Sequence, residues 1–176
     1  MTRTLIAAAL VPFALASLAL AVPATAQEWK PYRPHGAGYQ VEYPGQPSED
    51  VRDVATNVGP VRLQTSSLTI GDKTYMTITS SYPREITMGD PQKNLDGARD
   101  GSLQHTNGTL RSEERINLGN VPARHLVIDL PQQAKVADTL LVLDGHRLLQ
   151  AIYVGPNRTE ETPEARRFLT SFTPVQ

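Results

Sequence analysis

The 176-residue chain contains no cysteine. That excludes disulfides, thiolate metal sites and cysteine nucleophiles, and it excludes a lipid-bearing cysteine behind an export signal. Stability must come from a packed core. An excess of charge of either sign is also lacking: 17 basic residues face 18 acidic ones, interspersed along the chain. Nothing in that balance points to nucleic acid or to an anionic membrane surface. There is no internal repeat, no low-complexity tract, no G-x-S-x-G nucleophile motif and no phosphate-cradling glycine loop. No catalytic residue, resident metal or cofactor is assigned.

The first 26 residues read as a secretory signal. Met1-Thr2-Arg3-Thr4 carries one positive charge, and Leu5 to Val22 is apolar apart from Pro12 and Ser17. Pro23 ends that stretch, and Ala24-Thr25-Ala26 gives the small-x-small pattern of a cleavage site between Ala26 and Gln27. The alternative is an uncleaved anchor, because eighteen residues approach the ~20 that span a bilayer. Pro12, the alanine content and the absence of basic residues between Arg3 and Lys30 favour cleavage. The expected product is a soluble, unlipidated periplasmic protein with no stable membrane anchor. Its net charge moves from −1 to −2 with the loss of Arg3. Asn107-Gly108-Thr109 also fits a glycosylation sequon, but reads better as a helix stop.

Residues 27–38 form a Pro/Gly-rich extended lead-in in which Trp29 and Tyr32 are expected to pin the segment to the core, the alternative being an exposed aromatic surface for a partner. Residues 39–176 form a single α+β domain. Strands are predicted at 39–43, 51–56, 61–70, 74–82 and 110–118, followed by a three-stranded meander at 121–130, 134–143 and 147–154. Asp90-Pro91 starts a helix that runs to Thr106, with Leu95, Ala98, Ser102 and Thr106 facing inward. Gly97 and Gly101 in that helix each cost roughly 1 kcal/mol relative to Ala. Close approach of the helix to the sheet is the expected reason for them. Thr162-Pro163 starts a second helix whose apolar face is Ala165, Phe168, Leu169 and Phe172. The meander is apolar on both parities, so the sheet should be covered on both faces, at least centrally. The expected fold is an antiparallel sheet of about six to eight strands sandwiched by two helices.

Several stretches carry a family resemblance. They are Gly38-Tyr39-Gln40-Val41-Glu42-Tyr43-Pro44-Gly45-Gln46-Pro47, Leu95-Asp96-Gly97-Ala98-Arg99-Asp100-Gly101, Arg147-Leu148-Leu149-Gln150 and Arg167-Phe168-Leu169-Thr170-Ser171-Phe172. In these the chain resembles a group of uncharacterised exported bacterial proteins and, at fold level, the PsbP-like domains. The resemblance implies an antiparallel sheet between helices. Some PsbP-like proteins assist assembly of membrane complexes or bind metal, but no activity carries over residue by residue.

Candidate sites are sparse. Asp96 to Gly101 lacks the alternating oxygen ligands of a calcium loop. His35, His105, His125 and His146 have no partner at a ligand spacing. A two-residue turn at Asp144-Gly145 pairs Arg147 with Val142, and a three-residue turn at Pro131-Gln132-Gln133 pairs Arg124 with Leu140. Arg124 and Arg147 would then share a face about 10 Å apart, across two strand spacings. Two guanidinium groups there are a candidate anion or ligand site; the competing reading is arginines that snorkel out or pair with Asp144. The same registers place His125 on the other face, beside Thr139 and Gln150. The expected function is a non-enzymatic binding or accessory/assembly module for a protein, an envelope component or a small ligand. The alternative is a periplasmic hydrolase with an unrecognised site. A deep cleft of converging titratable groups would favour the enzyme, and a shallow apolar surface the module.

Overall fold

The computed structural model describes residues 28–56, 59–84 and 89–175. The signal segment and its Ala26–Gln27 cleavage point lie outside these residues. Chain order is β1 (Lys30–Tyr32), β2 (Tyr39–Tyr43), β3 (Ser48–Thr56), β4 (Gly59–Ile70), β5 (Lys73–Ser81), α1 (Pro91–Thr106), β6 (Thr109–Leu118), β7 (Val121–Leu130), β8 (Lys135–Asp144), β9 (Arg147–Pro156), α2 (Pro163–Ser171) and β10 (Thr173–Pro174). Seven strands make one antiparallel sheet in the order β3-β4-β5-β9-β8-β7-β6. β1, β2 and β10 make a small second sheet that the sequence pattern did not announce.

Helix α2 and the small sheet pack on one face of the large sheet. That layer contains Tyr39, Tyr43, Tyr75, Leu140, Val142, Tyr153 and Phe168. Trp29 and Tyr32 of the lead-in pack against it: Trp29 meets Tyr75 edge-on at 5.8 Å between centroids, and Tyr32 meets Tyr43 at 5.3 Å. On the opposite face, Leu95 of α1 packs with Leu126, Ile128, Leu141 and Leu143. Burial therefore differs from strand to strand. Every residue from Val136 to Leu143 on β8 is buried, because α1 covers one side and α2 the other. β3 is exposed along its whole length, and its Glu49, Asp50, Arg52 and Asp53 guard an open sheet edge.

The β7–β8 turn decides which side chains go to which layer. It holds four residues, Pro131 to Ala134, with Ala134 in the left-handed region at φ 51°. Leu130 consequently pairs with Lys135, and Arg124 pairs with Leu141 instead of Leu140. A one-residue slip reverses the face of every side chain on the strand. Arg124 therefore points toward α1. The β8–β9 turn is Gly145-His146, which pairs Arg147 with Asp144. Here the register differs from expectation by two residues, so Arg147 keeps its expected face, the α2 side. The two arginines lie on opposite faces and do not converge.

Arg124 is fully buried and fixes α1 in place. Its guanidinium lies 2.5 Å from Asp96 of α1, ion-pairs with Glu113 of β6, and donates to both the backbone and side-chain oxygens of Gln92 at 3.1 Å. Arg99 adds a second donor to Glu113 at 2.9 Å. The Arg124 hydrogen bond holds the Asp96 carboxyl below its ordinary pKa. Arg147 instead ion-pairs with Asp144 at a partly exposed position and lies over the backbone of Gly38.

Removing a buried member of an ion network leaves its partners without compensation. Arg124→Leu is expected to cost about 3 kcal/mol in urea denaturation, near the low end for buried pairs because Asp96 and Glu113 keep some solvent contact. Arg147→Leu is expected to cost about 1 kcal/mol or less. Equal losses would show that Arg124 does not hold α1.

Candidate functional site

Helix α1 begins where Asp90 accepts the Gln92 N–H at 2.8 Å, with Pro91 at the first position, and it ends at Asn107 in the left-handed region. Arg124 and Leu95 seat it over β7 and β8. Beyond β8, no described element lies on this face of β9, β5 and β4 at comparable depth. The burial alternation shows it directly. On β5, Tyr75, Thr77 and Thr79 of the α2 face are buried, whereas Met76 and Ile78 of the α1 face are only half-buried. On β9, Leu149, Ala151 and Tyr153 are buried, whereas Gln150, Ile152 and Val154 are half-buried.

The uncovered strip is a groove of about 530 Å³ beside α1. The helix wall is Ala98, Gly101, Ser102 and His105. A Cβ on Gly101 or Gly97 would meet no heavy atom within 4 Å. The expected close approach of helix to sheet is therefore incorrect: the helix stands back at both glycines, and Gly101 widens the groove. Nothing in the structure explains Gly97. The Ser102 and Thr106 hydroxyls donate to carbonyls one turn earlier, at 2.9 and 2.8 Å, so they are satisfied within the helix.

The floor mixes two chemistries. Met76, Ile78, Ile152 and Val154 are apolar, while Thr65, Ser80, Thr139 and Gln150 offer hydroxyl and amide groups. Thr139 is 3 % exposed and Ser80 6 %. Neither side chain has a hydrogen-bond partner among the described residues. Their hydroxyl oxygens reach the groove, where water or a ligand can take up their hydrogen bonds. Arg52, Tyr82 and His105 are the titratable residues on the lining, and no carboxylate is among them.

A second, smaller recess of about 310 Å³ lies on the α2 face, between β6, β7 and the approach to α2. His125 sits there, opposite Arg124 as expected, but beside Asp138 and not beside Thr139 and Gln150. Its Nε2 lies 2.5 Å from Asp138 Oδ1. The same one-residue register accounts for the difference, since it brings Asp138 onto the His125 face. Asp138 is almost wholly buried, and Ser112, Arg111, Glu160 and Arg166 complete the recess. Arg111 is occupied by Asp129 and Glu160. No group of three or more metal-ligating side chains occurs among the described residues. His35 and His146 join neither recess. The sequence signal missed here was Asp138, an acid inside the most apolar strand of the chain.

The layered α+β arrangement defines a PsbP-like fold. Among solved structures, the chain is similar to the solution structure of cyanobacterial PsbP (CyanoP) from Synechocystis sp. PCC 6803. The TM-score is 0.58 at 13 % identity, over 85 % of this chain and 94 % of that one. A structure of the protein of unknown function PA94 from Pseudomonas aeruginosa, a putative regulator, matches at a TM-score of 0.37 and 13 % identity, covering 75 % of this chain and 85 % of that one. No protein-family model and no curated protein matches the chain. No helix among the described residues is long and apolar enough to cross a membrane.

The hydrogen bond to Asp138 raises the His125 pKa above its ordinary value, against the opposing effect of burial, and Glu114 adds to the rise. A raised folded-state pKa contributes stability that is complete below the unfolded value of about 6.5 and is lost as pH climbs through the folded value. Thermal stability is therefore expected to fall as pH rises from about 6 through the neutral range. His125→Gln should flatten that slope. An unchanged slope in His125→Gln would show that this pair does not titrate with folding.

Proposed function

We propose that this chain is an exported, non-enzymatic accessory module that binds its ligand or partner in the groove beside α1. The observation that carries the reading is the half-open sheet face. β5 and β9 bury one parity of side chains and leave the other, apolar-rich parity accessible in a preformed concavity of small-molecule size. Leaving Met76, Ile78, Ile152 and Val154 half-exposed forgoes roughly 25 cal/mol for each Å² of apolar surface. The lining also lacks the convergent acids and bases that a hydrolytic centre needs. Export rests on residues 1–26, and the periplasm on that signal together with the cysteine-free composition. CyanoP supports the reading only through shared architecture.

The cysteine-free chain permits a clean test. A single cysteine replacing Met76 and carrying an environment-sensitive fluorophore is expected to shift its emission when fractionated small-molecule envelope extract is added. The same dye at Asp72, exposed in the turn between β4 and β5, should stay silent. Silence at Met76 across all fractions would remove the groove reading.

A second reading has one observation in its favour. Asp138 orients the His125 imidazole in a recess that also contains Ser112, which is an arrangement used in general-base chemistry. If this recess hydrolyses esters, the purified protein should turn over p-nitrophenyl acetate at least tenfold faster than its His125→Gln variant. Equal rates eliminate hydrolysis of that ester class by His125.

A further inference from the structure

We infer that the groove seats a single-chain anionic amphiphile, with its head at Arg52 and its tail over Met76, Ile152 and Val154. This rests on the groove being the binding seat. Strand registers fix the order of groups along it. Arg52 pairs with Leu63, Leu63 with Ser80, and Ser80 with Leu148, which sets the first row. Thr65, Ile78 and Gln150 form the next row. Met76, Ile152 and Thr139 form the third, and Val154 with Ala137 continues the fourth. Polar floor groups therefore concentrate at the Arg52 end, with Thr139 as the exception farther in; on the helix wall, His105 and Thr106 stand at the other end. Apolar groups dominate the other end, where Ile128 and Leu130 join the lining. From Leu148 to Val154 the floor extends about 20 Å at ~3.3 Å per residue.

The sign of the head follows from charge. Arg52 stands at the polar end, and no carboxylate lines the groove. Its acidic neighbour Asp50 lies 3.9 Å away with both side chains exposed, a geometry that holds the guanidinium only weakly. A carboxylate, sulfate or phosphate head could therefore take over the guanidinium fork. Ser80, Thr65 and Gln150 stand next to it with side chains free to donate.

The nature of the tail follows from what the floor does not offer. A sheet face presents side chains, while the backbone N–H and C=O groups of β5, β8 and β9 are engaged in ladders. An extended peptide of 20 Å would bring about six residues, each with a donor and an acceptor to satisfy. The floor has four polar side chains, three of them at one end. A hydrocarbon chain carries no such demand and gains from burial against Met76, Ile152 and Val154. Gly101 supplies the necessary width in the helix wall.

The test uses the purified full chain and 11-(dansylamino)undecanoic acid as a fluorescent probe below its critical micelle concentration. Saturable binding is expected, with displacement by dodecanoate at least tenfold more effective than by dodecanol or dodecyltrimethylammonium. Arg52→Gln should weaken dodecanoate about tenfold and leave dodecanol unchanged. Gly101→Leu, which adds helix propensity while filling the groove, should abolish probe binding with the circular dichroism spectrum retained. If Gly101→Leu fails to fold, Met76→Lys on the floor replaces it with the same expected loss. Equal displacement by all three competitors, or an unaffected Arg52→Gln, would overturn the anionic head while leaving the groove as the seat. Probe binding that survives both Gly101→Leu and Met76→Lys would overturn the groove itself. Absence of probe binding to the parent chain would overturn the amphiphile, and the Met76 dye experiment would then decide whether the groove binds anything else.

Discussion

The pairing of β7 with β8 governs what each face of this protein can do. β8 is the strand that both helices cover, so the residue opposite each of its positions is assigned to one layer or the other. With Arg124 opposite Leu141, a full positive charge is carried into the α1 layer. A buried guanidinium is tolerable only where carboxylates and carbonyls surround it. Asp96, Glu113 and the Gln92 carbonyl do so, and two of the three belong to α1. The charge thus acts as a locator. It draws the N-terminal half of α1 over β7 and β8, and away from β5 and β4. The groove is what remains uncovered once the helix has been held to that side.

The same register builds the opposite layer. Asp138 comes to the α2 face beside His125, so that layer gains a cross-strand charge pair as the α1 layer has its Arg124 network. They differ in reversibility. Arginine stays charged at any relevant pH, so the cation of the α1 anchor does not switch near neutrality. Histidine titrates near neutrality, so the α2-side pair is the pH-dependent one. The groove and the pH-sensitive recess are separated by the full thickness of the sheet.

How much of this the sequence disclosed depends on the kind of signal. Strand and helix positions were legible because periodicity and caps are local: Asp90-Pro91 and Thr162-Pro163 start the two helices where the cap rules place them. The antiparallel sheet between helices followed from those elements, and the PsbP-like likeness from the short matching stretches. The face of Arg124 was not legible, because it depends on whether one turn contains three residues or four. Pro131-Gln132-Gln133-Ala134 contains no glycine, and the residue that adopts positive φ is an alanine, so nothing local announces the extra position. At Gly145-His146 the error was two residues, which preserves parity, and Arg147 kept its face. The candidate arginine pair therefore failed at one end only. The groove was invisible for a related reason. Apolar residues at Met76, Ile78, Ile152 and Val154 satisfy a core pattern equally well whether or not a helix covers them.

Gly101 breaks a local rule of helix formation. In a helix interior, glycine is tolerated for close packing, for a kink or for space. Close packing fails, since a Cβ would touch nothing. A kink has no support either, because the helix continues unbroken to Thr106. Space remains, and the space adjoins half-buried apolar side chains and hydroxyls that open onto the groove. An alanine there would gain roughly 1 kcal/mol of helix propensity at no steric cost, and a larger apolar residue would also cover floor that now meets water. A domain shaped for stability alone would fill this position. Leaving it empty beside an uncovered apolar floor is intelligible if another molecule supplies the missing contacts.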